Sequence, residues 1–196
     1  MKKFWKILTF VFLGIVISYF MAGIVISEIN YKHNVKAWEE YPHNQIISHQ
    51  SQLPNIKFGI GDMPGNGCGA LSIYHILLME DKYVPLPDII REMDIYGENV
   101  FGLFGTNPLA FSYYLEKKGF EVDAHLNPEK FDEVAKESKY SVLMYFSLQW
   151  GHFQLLTNYE EATGEYQLYN VTKKQTMENL LAETNASFLR VLFTIN

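Results

Sequence analysis

The chain has 196 residues, 48% of them hydrophobic and only 19% charged, too apolar and too rich in aromatic side chains for a disordered protein. A single cysteine excludes a disulfide framework and any multi-cysteine zinc or iron–sulfur site. Three of the 16 basic residues, Lys2, Lys3 and Lys6, precede the first acid, Glu28, which leaves 13 basic against 22 acidic residues beyond it, and such a body excludes nucleic acid as a partner because phosphates need clustered Lys and Arg.

From Ile7 to Ser27 run 21 residues without a charge. At 1.5 Å per residue they cover about 30 Å, the thickness of a hydrocarbon core. The cationic start and Glu28 on the far side predict a single-pass anchor, with the N-terminus cytoplasmic and the C-terminal body extracytoplasmic. A signal peptide that releases a secreted body is the alternative. The apolar run exceeds the usual signal core and no A-x-A-like site follows it, so an uncleaved anchor is favoured. Residues 1–27 are therefore read as cytoplasmic start and anchor. Residues 28–57, polar and aromatic with His33, His43 and His49 but no clear period, are read as a juxtamembrane linker or arm.

Residues 58–196 form the domain proper, helices first and strands later, the α+β order. A loop, GIGDMPGNGCG, leads into ALSIYHILLMEDKY, whose dense apolar positions predict a helix buried over most of its surface. A second helix fits Leu86 to Tyr96. A third is announced by Thr106 or Asn107 as cap with Pro108 in the first turn, and closes at Gly119. The period then changes. FEVDAHL alternates as a strand, NPEKFDEVAKES is a capped helix, and YSVLMYFSL, WGHFQLLTNY and EYQLYNVT read as strands, the last two joined across a turn at Gly164. A short helix from about Thr176 to Glu183 precedes a closing strand, SFLRVLFTI.

Cys68 stands where the glycine-rich loop becomes the apolar helix. Unpaired N–H groups and the positive end of the helix dipole favour a thiolate there and can also hold a developing oxyanion. A thiol nucleophile needs a base. His75 lies about 10 Å along the same helix and is out of hydrogen-bond reach. His152 begins an apolar strand directly after Gly151, and Asn170 ends the next strand, so a two-stranded hairpin brings both into one neighbourhood. Cys68, His152 and Asn170 then have the makings of nucleophile, base and orienter.

The run N-G-C-G-A-L opening a helix, G-T-N-P-L before a later helix, then V-L-M-Y-F, G-H-F-Q-L-L-T and Y-Q-L-Y-N on successive strands resembles the C39-type branch of papain-like cysteine peptidases, over about Gly61 to Asn196. The resemblance implies a central Cys-bearing helix packed on an antiparallel sheet, a peptide or protein substrate, and catalytic roles for Cys68, His152 and Asn170. Family members carry an oxyanion glutamine five or six residues before the cysteine. Asp62 and Met63 stand there in this chain, and Asn66 is the nearby amide that can substitute. Members of this branch are best known as cytosolic domains of export transporters that trim leaders after paired glycines, a role not carried over to an extracytoplasmic domain. Two alternatives stay open: a catalytically inactive domain that binds a peptide or membrane protein partner, and a thiol acyltransferase on the same residues. No P-loop, dinucleotide pattern or H-E-x-x-H occurs, so neither a cofactor nor a metal is expected. The aromatic stretch VFGLF around Phe101 and Phe104 reads as a loop that covers the core or a substrate.

Overall fold

A computed structural model describes residues 2–96, 102, 105–147, 151–171 and 173–196; most of the VFGLF stretch lies outside them. The chain opens with one unbroken helix, α1 (Lys2–Trp38). Its first part exposes apolar side chains from Phe4 to Val25, and it is long and apolar enough to cross a membrane. Beyond that part, α1 continues as a helix into the stretch that carries no hydropathy period, as far as Trp38.

The reason is chemical. The buried stripe runs Gly23, Ser27, Asn30, Asn34, Ala37 and Trp38, spaced by three and four residues as a helix requires, yet it is mostly small and polar. Its partners are hydrogen-bonding groups instead of a greasy groove. Ser27 Oγ donates to the Arg91 carbonyl at 3.1 Å, and Asn30 Nδ2 donates to the Gly59 carbonyl at 2.7 Å and to Asp94 Oδ2 at 3.2 Å. Asn34 brackets Lys57, donating to its carbonyl at 2.9 Å and accepting its N–H at 2.8 Å.

After a 3-10 turn at Gln50–Gln52, strands β1 (Lys57–Phe58) and β2 (Gly61–Asp62) form a small antiparallel hairpin. Four helices follow: α2 (Met63–Asn66), α3 (Cys68–Met79), α4 (Leu86–Tyr96) and α5 (Pro108–Lys117), the last capped by Asn107 with Pro108 in its first turn. The strands then appear as β3 (Val122–His125), β4 (Tyr140–Phe146), β5 (Gly151–Glu160), β6 (Glu165–Leu168), β7 (Lys173–Thr176) and β8 (Leu189–Ile195). Helices α6 (Phe131–Glu137) and α7 (Met177–Glu183) interrupt them.

The six strands make one sheet in the order β3-β8-β4-β5-β6-β7, with every neighbouring pair antiparallel. One face, with Val142, Met144, Phe153, Leu155, Val191 and Phe193, packs on α3, α4 and α5; the other, with Leu143, Leu156, Tyr166, Leu168 and Leu192, packs on α6 and α7. This is the α+β arrangement that the sequence predicts, a Cys-bearing helix packed on an antiparallel sheet. The strand β7 is an addition. Its sequence, KKQT, has no apolar alternation, and as the edge of the sheet it uses Lys173 and Lys174 to pair with Glu183 and Glu160.

α3 is buried from Cys68 through Leu77. His75 is therefore a core residue, 1% exposed, whose Nε2 accepts the Ile47 N–H at 3.2 Å. Burial holds its imidazole down to about 3. An unfolded histidine takes up its proton near 6.5, so below that pH the unfolded chain binds the extra proton and stability falls as pH drops. A His75→Gln variant keeps an acceptor for Ile47 without titrating. Denaturant melts of the full chain in detergent between pH 5 and 6.5 will show stability falling with pH in both proteins, since His152 is also held neutral by burial, but more steeply in the wild type, by up to about 1.4 kcal/mol per pH unit.

Candidate active site

The loop before Cys68 is shaped by short-range bonds. Asp62 caps α2, accepting the Gly65 N–H at 2.9 Å, which gives this acid a local structural partner. Gly67 precedes α3 without any side-chain cap, so the first-turn N–H groups around Cys68 are not claimed by a capping side chain. Asn66 does not point along this turn: a Cβ on Gly61 would lie 2.3 Å from Asn66 Nδ2, so the amide lies over the β1–β2 hairpin.

Strand β5 outruns β6 at the end where His152 lies. Leu155 accepts the Tyr169 N–H at 3.0 Å, so the backbone polar groups of Leu155 face the β6 side, and two residues earlier those of Phe153 do the same. At Phe153 no β6 residue is left to pair. The N-terminus of α3 fills this place, and the Cys68 sulfur faces the Phe153 N–H. Cys68 thus lies at the open edge of β5, beside the residue that follows His152.

His152 pairs across the sheet with Tyr145 of β4, their rings 5.7 Å apart at an interplanar angle of 62°. Burial pushes the Tyr145 hydroxyl up to about 12, with the Cys68 thiol adding to the effect, which puts Cys68, Tyr145 and His152 in one electrostatic neighbourhood. Burial also pushes the Cys68 thiol up to about 11, against the pull of the Phe153, Gly69 and Cys68 backbone N–H groups. The helix start therefore does not produce a thiolate, as the sequence position suggests it would, because desolvation outweighs three backbone donors. Burial holds His152 down to about 4; a hydrogen bond with the Gln154 side chain opposes this and nearby His49 adds to it. The pair is a neutral thiol and a neutral imidazole.

Asn170 has a positive φ of 75°, a conformation that asparagine tolerates better than other non-glycine residues, and is 3% exposed. Its carboxamide is engaged at both ends by one residue: Oδ1 accepts the Gln50 N–H at 2.7 Å, and Nδ2 donates to Gln50 Oε1 at 2.8 Å. Gln50 in turn donates to the Pro64 carbonyl at 2.6 Å. The 3-10 turn thereby reaches the site, with Gln50 between Asn170 and Pro64 of α2. Gln50, Gln154 and Tyr145 are site residues that the sequence reading did not single out. Only Gln154, a polar residue two places after His152 in an apolar strand, carried a visible signal. Among the described residues no three His, Cys, Asp or Glu side chains come together as a metal site.

No protein-family model matches the chain, and no curated protein matches it. Among solved structures it is similar to the peptidase domain of Streptococcus ComA, a bifunctional ABC transporter involved in a quorum-sensing pathway, at 10% identity and a TM-score of 0.48, covering 65% of this chain and 89% of that one. It is also similar to a double-glycine-motif protease from an AMS/PCAT transporter, solved in complex with the leader peptide, at 17% identity and a TM-score of 0.47, covering 76% of this chain and 95% of that one.

The start of α3 has no room to spare. A Cβ on Gly69 would lie 2.5 Å from both Cβ and Oγ1 of Thr106, whose short side chain has no flexible end to swing aside. A Gly69→Ala variant will push Thr106 off the helix start and cost about 1–3 kcal/mol, read as a lowered denaturation midpoint. A midpoint equal to that of the wild type would mean that the loop yields freely.

Proposed function

We propose that this chain is a membrane-anchored, extracytoplasmic cysteine hydrolase of the C39-like, papain-like type that cleaves a peptide bond. The single observation that carries the reading is Cys68 at the first turn of α3, its sulfur set against the open edge of β5 at the N–H of Phe153, the residue after His152. In the mechanism, the Cys68 sulfur attacks the scissile carbonyl while its proton passes to the neutral His152 imidazole. The N–H groups at the α3 start stabilise the oxyanion; Asn66, the amide nearest in sequence, would first have to leave its place over Gly61. His152 then returns the proton to the leaving amine, and water hydrolyses the thioester. Asn170, third member of the proposed triad, is held in place by Gln50, which engages both ends of its carboxamide. Transfer of the acyl group to an amine instead of water uses the same residues.

The anchor reading rests on the exposed apolar part of α1, and its orientation on Lys2, Lys3 and Lys6 at one end and Glu28 at the other. Lipid-embedded helix and folded body then form one continuous piece. A second reading, a domain that binds a peptide or membrane protein without catalysis, is favoured by two observations: Cys68 is only 5% exposed, and the chain's own Gln50 engages Asn170.

Cys68 is the chain's one cysteine, so a peptidyl vinyl sulfone reports on a single thiol. With His152 as base, labelling of the full chain in detergent micelles rises as the imidazole loses its proton near pH 4 and stays level through neutral pH. In His152→Ala it drops and follows thiol ionisation near 11. Wild-type labelling that climbs only toward 11 and ignores the substitution would sink the hydrolase and favour the binding domain.

A further inference from the structure

A base is useful only when its lone pair is aimed, and a histidine ring has two nitrogens, of which the neutral form protonates one. Whichever group accepts the ring N–H decides which nitrogen is left as the base. Asn170, the residue that the family resemblance implies for that task, has both ends of its carboxamide taken up by Gln50.

Gln154 is better placed. It lies two residues after His152 on β5, so the two side chains leave the same face of the strand. It is 3% exposed, and a buried carboxamide is costly unless its polar atoms find partners. Its Nε2 donates to the Tyr169 carbonyl and, at 3.2 Å, to the Leu155 carbonyl. Two carbonyl acceptors at one end settle which end of the amide is nitrogen, since an oxygen there would face two other oxygens. The Oε1 end is then the one left for a donor, and the side chain with which Gln154 hydrogen-bonds is His152.

We propose that Gln154 is the positioning residue of the site, its Oε1 accepting the His152 ring N–H while its Nε2 is held by the Tyr169 and Leu155 carbonyls. The inference rests on the reading of His152 as general base. The anchored amide fixes the tautomer and leaves the second ring nitrogen with its lone pair for the Cys68 proton. A neutral carboxamide does this without adding charge. The ring stays neutral at physiological pH, where a carboxylate in the same place would favour imidazolium.

The test is a ring-nitrogen NMR titration of the full chain in detergent micelles, with the His152 signal assigned by its loss in His152→Ala, run beside Cys68 labelling by the vinyl sulfone. Gln154→Glu keeps an acceptor and adds a charge. It is expected to raise the His152 titration by a unit or more, and the acid limb of labelling moves with it. Gln154→Leu removes the acceptor, mixes the two tautomers and lowers plateau labelling about 10-fold. Asn170→Ala, which releases Gln50, moves the His152 titration less than Gln154→Glu does. A merely structural Gln154 would lower stability without moving the titration. Should Gln154→Leu fail to fold, the Glu variant carries the test alone. The proposal is overturned if His152 titrates as in the wild type in Gln154→Glu, or if Asn170→Ala shifts it more. Wild-type labelling that ignores His152→Ala, with a ring that still responds to Gln154→Glu, overturns the hydrolase and supports the contact, so the two failures are distinct.

Discussion

A helix that is apolar on nearly every side must be covered by protein or by lipid, and α3 is covered by protein, buried from Cys68 through Leu77. Leu71, Ile73, Ile76 and Leu77 are fully buried, and each such side chain contributes about 1.5–3 kcal/mol when removed from water. The sheet and α5 flank it, Trp38 at the end of α1 meets Tyr74 with ring centroids 5.8 Å apart, and the Ile47 N–H bonds His75 from the segment beyond. With its flanks enclosed, only the N-terminal turn of α3 reaches the rim of the sheet. It meets β5 at the one stretch that β6 does not cover. The position of Cys68 is thus a by-product of where α3 must pack and of β6 being shorter than β5.

That placement sets the charge logic of the site. A helix start favours anions, and three backbone N–H groups do face the Cys68 sulfur, yet removal from water costs more than they return and the thiol stays protonated. The same burial keeps His152 neutral. A neutral pair has no standing ion pair to desolvate and loses nothing to salt. In the proposed mechanism its reactivity depends on a proton moving as the new bond forms, when donors aimed at the site meet charge that did not exist before. Low dielectric, which suppresses the resting thiolate, then strengthens those donors.

The attachment of α1 follows a different rule. Arg91 and Glu28 are 2.5 Å apart, but both are more than 40% exposed, and such surface pairs contribute at most about 1 kcal/mol. The buried bonds among Asn30, Asp94 and Gly59 hold more, because each group removed leaves its partners unsatisfied. They join the end of the helix to α4 and the β1–β2 hairpin of the domain.

Elements that bury apolar surface against other apolar surface were legible in the sequence. The helix that begins at Cys68, the Asn107 cap with Pro108, the turn at Gly164 and the strands around His152 all declare themselves by period and punctuation. The rest of the site and of α1 is built from buried amides, and hydropathy is blind to these. Asn30 and Asn34 look like a solvated linker, and Ser27 like the last residue of an anchor, until their partners, far along the chain, are known. Gln50 lies 120 residues from Asn170, and no local pattern connects them. Gln154 stood beside His152 in plain view, but its role follows only from the carbonyls of Tyr169 and Leu155, which fix the direction of its amide. A polar residue in an apolar strand is thus a question about partners, and here the partner that remains for its oxygen is the imidazole.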